Sequence, residues 1–171
     1  MKKMLFAMLA LFVGISASAQ TLPDVKIENL DGKVVSTKEL ADGTPMIISF
    51  WSTTCKPCIM ELNAINDSLY EWLEEADMKV VAISVDDART VSRARAMTSG
   101  QGWDDFVCLF DKNQDFKRAM NVSLTPHTFI VDGNGTIVYS HTGYTPGSEQ
   151  ALLDKVIKLS GPAAKTAKTK R

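Results

Sequence analysis

Two residues separate Cys55 from Cys58 in Ser52-Thr53-Thr54-Cys55-Lys56-Pro57-Cys58, where a short apolar run gives way to a helical pattern. A thiol at that junction sits at a helix N-terminus, where free N–H groups and the helix dipole favour the thiolate and lower its pKa. Cys55 is therefore the candidate attacking nucleophile. Pro57 suits the first helical turn, because a missing N–H costs nothing there, and its fixed φ holds the backbone so that Cys58 can resolve a mixed disulfide. The chemistry this spacing offers is thiol–disulfide exchange. Lys56 falls on the solvent side of the helix, where its charge helps to keep Cys55 ionised.

Other uses of the pair fit less well. A zinc site of this spacing needs a second Cys or His pair, and Cys108, His127 and His141 stand at unrelated intervals, so no metal is expected. A purely structural disulfide closing so short a loop would remove little chain entropy. Cys108 lies in Phe106-Val107-Cys108-Leu109-Phe110 and reads as an inert buried thiol. His127 and His141 read as packing or surface residues rather than catalytic ones.

Glu61 follows Cys58 by three residues. With Cys58 as origin and about 100° per residue, Leu62, Ile65, Leu69, Trp72 and Leu73 fall within about 60° of it and form one apolar stripe, with Glu61 at its edge. A carboxyl desolvated there has a raised pKa and can take or return the proton of the resolving thiol.

These residues need elements to hold them. Met46–Trp51 is a strand leading into the cysteines, and the helix after them runs for about twenty residues. Val25–Leu30 and Lys33–Ser36 flank Asp31-Gly32 as a hairpin. Lys79–Val85 is a second, centrally placed strand. Asp86-Asp87 is expected to start a helix reaching about Met97, since acids suit the positive helix end. Phe106–Phe110 is a strand and Asn113–Met120 a short helix; Thr128–Val131 and Thr136–Ser140 surround a turn, and Glu149–Leu159 is a final helix. The alternation predicts an α/β domain, a mixed sheet with helices on both faces.

Composition sets the frame. The chain has 171 residues, 45% hydrophobic, with nineteen basic and twenty acidic residues, which suits one globular domain and argues against nucleic acid as a partner. Residues 1–19 combine Lys2 and Lys3, an apolar run from Met4 to Ile15 and Ala17-Ser18-Ala19, the pattern of a cleaved secretory signal too short to span a bilayer. The expected mature protein is exported and periplasmic, with no membrane span. Residues 20–160 form the domain, and 161–171, with Lys165, Lys168, Lys170 and Arg171, a flexible basic tail.

Ser49-Phe50-Trp51-Ser52-Thr53-Thr54 before the CxxC pair, Val80–Asp86, Thr125-Pro126 before Phe129-Ile130-Val131-Asp132, Gly135 and Gly143 together resemble the thioredoxin-like proteins. Within that superfamily the chain resembles the extracytoplasmic TlpA/ResA-like thiol-disulfide oxidoreductases, over most of residues 20–160. The resemblance implies a thioredoxin-like fold, a central mixed β-sheet flanked by helices, with an N-terminal β-hairpin extension and an insertion after the second βα unit. It implies a redox-active Cys55–Cys58 disulfide and no cofactor. Pro126 matches the family's cis-proline beside the disulfide, Thr125 would present its backbone to an extended substrate, and Trp51 and Gly143 match positions lining the groove. The subfamily places an acid at Glu61, whereas cytoplasmic thioredoxins carry an Asp where this chain has Ser49.

The partners so implied are disulfides of client proteins and a membrane electron-donor protein, some relatives serving cytochrome c maturation. Thr54 stands where many relatives carry an aromatic residue and Asn63 where a proline is frequent; Lys56 is an unusual dipeptide residue, which leaves the direction of electron flow open. Two rival readings stand beside this one. A peroxiredoxin-like peroxidase would carry Thr and Pro where this chain has Ser52 and Ile48, and a non-catalytic peptide- or metal-binding module would use the fold without turnover.

Overall fold

Strand β3 (Met46–Trp51) is buried along its whole length, as a strand covered on both faces must be. The computed structural model describes residues 20–160; the expected signal segment and basic tail lie outside the described residues. Before β3 come the hairpin β1 (Lys26–Asn29) and β2 (Val34–Ser36) and a 3-10 turn at Thr37–Leu40. After it come α1 (Lys56–Glu75), β4 (Lys79–Ser84), α2 (Val91–Gly100), β5 (Val107–Phe110), α3 (Asp115–Ala119), β6 (His127–Val131), β7 (Ile137–Thr142) and α4 (Gln150–Leu159).

The seven strands form one mixed sheet in the order β2-β1-β5-β4-β3-β6-β7. β3 is parallel to β4 and antiparallel to β6, and β7 returns antiparallel along β6. Parallel neighbours require a long crossover, which α1 supplies between β3 and β4. The pleat sends Ile47 and Trp51 to the face covered by α1 and α4, and Met46, Ile48 and Phe50 to the face where Phe116 of α3 packs. Ser49 shares the α1 face by the same alternation.

Along α1 the buried positions are Cys58, Glu61, Leu62, Ile65, Leu69 and Trp72. Each large apolar side chain in this row contributes about 1.5–3 kcal/mol by leaving water, so the stripe docks the helix and sets its rotation. Leu73, expected on the stripe, is 45% exposed; it lies at the edge of the helical arc, beyond the reach of the sheet.

The expected helix at Asp86-Asp87 is corrected. Helix α2 starts only at Val91, because both acids are engaged before it. Asp86 accepts hydrogen bonds from the Thr53 amide at 2.9 Å, the Thr53 hydroxyl at 2.7 Å and the Ser84 hydroxyl at 3.0 Å. Asp87 closes the following turn by accepting from the Arg89 and Thr90 amides at 2.9 and 3.2 Å.

Candidate functional site

Cys55 and Cys58 are joined by a disulfide, their Cα atoms 5.3 Å apart, at the start of α1. Cys55 is the N-cap residue, and its Sγ accepts from the Cys58 amide at 3.3 Å, an arrangement that favours a thiolate on this sulfur once the disulfide is reduced. The two sulfurs differ in access. Cys55 is half-buried while Cys58 is fully buried, so an incoming group reaches Cys55 first. Lys56 and Pro57 are exposed, with Pro57 in the first helical turn.

The loop Ser52-Thr53-Thr54 is held by the Asp86 bonds to Thr53, which tie it to the end of β4. Opposite, the Thr125–Pro126 peptide bond is cis, and the Pro126 carbonyl accepts from the Gly143 amide at 2.8 Å. Gly143 has φ +89°, with open space where a side chain would stand; this left-handed conformation favours glycine. A cleft of about 430 Å³ lies beside the loop, lined among others by Ser52, Thr54, Asp87, Lys117, Leu124 and Thr125.

Trp51 does not line this groove. It is fully buried and packs edge-to-face on Trp103, ring centroids 5.0 Å apart. Its position on the inward-facing register of β3 puts the indole beneath α1, where it supports the site from below. Asn63, one of the departures from the family pattern, accepts from Trp103 Nε1 at 2.8 Å and donates to Gln101 Oε1 at 2.8 Å. It thereby ties α1 to the segment after α2.

Glu61 is fully buried one turn along α1 from Cys58. The Ser49 hydroxyl donates to Oε2 at 2.9 Å, and Thr128 Oγ1 lies 3.1 and 3.0 Å from the two carboxylate oxygens. His141 Nε2 stands 3.7 Å from Oε1. Burial pushes the Glu61 carboxyl above its ordinary value of 4.5; the Ser49 and Thr128 hydroxyls pull the other way without offsetting it, and the charge of Glu149 adds to the rise. This carboxyl lies one helical turn from Cys58.

The residues around Glu61 come from a single rung of the sheet. Ser49 pairs with Thr128 across β3 and β6, and Thr128 with His141 across β6 and β7, so all three side chains point to the α1 face. Sequence reasoning did not gather this trio, because strand register is a long-range property; the alternation within β7 was the available signal. His127 lies one position away and faces the other side. It stacks on Phe129 at 4.5 Å, and its Nδ1 lies 2.8 Å from the Thr142 hydroxyl, the packing role expected of it. Burial lowers its pKa, and the neighbouring His141 lowers it further.

Cys108 is buried and unbonded to another cysteine. Burial, aided by the charge of Asp104, pushes its thiol up to about 12, where it is unreactive at neutral pH. Among the described residues no group of three or more His, Cys, Asp and Glu side chains could hold a metal, and no helix is long and apolar enough to cross a membrane.

The sequence pattern of the Redoxin family matches residues 17–157. The thiol:disulfide interchange protein DsbE of Yersinia pestis is 31% identical over 124 residues, 71% of this chain and 62% of that protein, so the chain spans a little less than two thirds of that relative. The thiol-disulfide oxidoreductase ResA of Halalkalibacterium halodurans is 25% identical over 138 residues, 81% of this chain and 74% of that one. Among solved structures, a thioredoxin-like protein from Porphyromonas gingivalis superposes with a TM-score of 0.72 at 48% identity, over 81% of this chain and 91% of the other.

Proposed function

The chain belongs to the Redoxin family, and we propose that it is an exported thiol-disulfide oxidoreductase that reduces disulfides of client proteins through Cys55 and Cys58. The observation that carries this reading is the asymmetric disulfide at the N-terminus of α1, one sulfur reachable and the other sealed. In the reduced protein the Cys55 thiolate attacks a client disulfide, forming a mixed disulfide and releasing one client sulfur. Cys58 then gives its proton to Glu61 and attacks the Cys55 sulfur. The second client sulfur leaves, and two electrons have passed from the protein to the client.

The cis Pro126 and the Thr125 backbone beside the cleft supply an edge on which an extended client segment can pair. Export is supported by the signal-like residues 1–19. The names of the DsbE and ResA relatives support the exchange chemistry. A reductant must itself be re-reduced, so the reading includes a membrane electron-donor protein, with apocytochrome c as one client class.

Equilibration of the Cys55–Cys58 couple against glutathione or dithiothreitol buffers tests the direction. A potential near or below about −270 mV is the expected result for a dedicated reductant, whereas one near about −120 mV would make the protein an oxidant of secreted clients. Absence of any two-electron transition would overturn the oxidoreductase reading altogether.

A further inference from the structure

The turn that delivers Cys55 to the start of α1 is held twice. Locally, the Cys55 amide donates to the Ser52 carbonyl at 3.1 Å, which closes Ser52-Thr53-Thr54-Cys55 by its own backbone. From across the fold, Asp86 accepts from the Thr53 amide on Oδ2 and from the Thr53 hydroxyl on Oδ1. A turn already closed by its backbone needs no second hold to exist. Two bonds to the two oxygens of one planar group fix how the turn is oriented against β4, which a single bond leaves free.

Asp86 is itself locked in place. It is buried, its Oδ2 also accepts from the Ser84 hydroxyl at 3.0 Å, and its amide donates back to the Ser84 hydroxyl oxygen at 3.2 Å. Ser84 is sealed within the sheet opposite Trp51 of β3. Asp86 forms no ion pair among the described residues, so its burial carries a desolvation cost that no cation offsets there. Of the other charged groups at this corner, Asp87 is bound to Arg89 at 2.8 Å, Lys117 of α3 lines the cleft, Lys56 is exposed beside Cys55, and Glu61 lies one helical turn beyond Cys58. Asp86 alone among them hydrogen-bonds the 52–55 turn.

What the second hold serves is the sulfur two residues on. Cys55 Sγ accepts from the Cys58 amide as the N-cap of α1, and the favourable field of a helix end falls away within its first turn. The reduced thiol therefore gains that field only while the turn keeps Cys55 at its post, and a shift of about 1 Å is enough to weaken a reaction built on such placement. We propose that Asp86 is a positioning residue for the exchange reaction: it acts through Thr53 to hold Cys55 at the α1 N-terminus, and so sets how readily the reduced thiol ionises and attacks. The inference rests on the reading of Cys55 as the attacking sulfur.

The test is the rate at which iodoacetamide alkylates Cys55 of the reduced protein, followed by peptide mass analysis from about pH 5 to about pH 9, since the thiolate is the reacting form. In Asp86→Ala the half-maximal pH is expected to rise by about one unit, so that alkylation slows about tenfold near pH 6 and reaches the same plateau near pH 9. A merely loosened fold would change the rate at every pH. Asp86→Asn keeps an oxygen for the Thr53 amide and offers an N–H to the Thr53 hydroxyl oxygen, and it is expected to react at least as fast as the unsubstituted protein. Thr53→Val keeps size and branching, loses only the hydroxyl bond, and is expected to slow alkylation near pH 6 by about threefold; it decides the matter if Asp86→Ala does not fold. An unchanged profile in the deciding variant, or Asp86→Asn as slow as Asp86→Ala, overturns the inference. Cys55→Ser separates the two readings. If it still reduces insulin disulfides, the reading of Cys55 falls and this inference with it; if it is inactive while folded Asp86→Ala keeps the unsubstituted profile, only the role of Asp86 falls.

Discussion

Two Cys-x-x-acid pairs occur in this chain, Cys58 with Glu61 and Cys108 with Asp111, and they end up doing opposite things. The first lies on α1, where a separation of three residues keeps both side chains on one face. The second runs off the end of β5, where a separation of three sends them to opposite faces. Cys108 packs with Trp103 and Phe110 on the α1 side, while Asp111 turns to α3 and accepts from the Lys117 amide at 2.7 Å. Both acids are buried, and burial raises the pKa of each. Their partners differ. Backbone amides, which cannot move or titrate, hold Asp111, whereas rotatable hydroxyls and an imidazole surround Glu61. The buried carboxyl held by amides caps the start of α3, while the one lined by hydroxyls lies beside a thiol.

The contrast breaks most visibly at the sulfurs. Cys55→Ser is expected to abolish disulfide exchange in an insulin-reduction assay, and Cys58→Ser to trap mixed disulfides with clients. Cys108→Ala is expected to retain exchange, since its thiol ionises only near pH 12; loss of exchange there would mean that the third thiol takes part.

The acids give the next effect. Glu61→Gln is expected to slow the resolving step by about a hundredfold, read as accumulation of mixed disulfide. Asp111→Ala is expected to leave exchange rates alone and to cost about 1–3 kcal/mol of stability, the penalty of orphaning buried amides, read from the urea midpoint.

The pH dependence of stability sharpens the comparison further. A carboxyl whose folded pKa is raised binds its proton more tightly in the folded than in the unfolded protein. Its stabilising contribution is full below the unfolded value, near 4.5 for Glu61, and is lost as pH rises through the folded value. The urea midpoint should therefore fall as pH is raised above about 4.5, and this decline should be shallower in Glu61→Gln. An unchanged slope would show that Glu61 titrates alike in both states.

The smallest effect is chemical. Iodoacetamide at pH 8 should label Cys55 of the reduced, folded protein and leave Cys108 unmodified until denaturant is added, as peptide mass analysis would show.

Much of the site was legible in the sequence because it is local. The pairing of a reactive with a resolving thiol follows from two residues at a strand-to-helix junction, and the placement of Glu61 beside Cys58 follows from helical periodicity. Asp86 and Trp51 were misplaced for a shared reason. A partner distant in the chain decides each side chain's role: Asp86 is drawn back to Thr53, thirty-three residues earlier, while Trp51 is covered by Trp103.

What the sequence determined by itself is the exchange chemistry and the placement of Glu61 on the buried face beside Cys58, because both depend on residues within two turns of one helix. What only the tertiary structure decided is which groups surround that carboxyl. Ser49, Thr128 and His141 are far apart in the chain and meet on one rung because β3, β6 and β7 pair in a single register. A slip of one residue would turn each of them to the opposite face, and no local pattern records the choice.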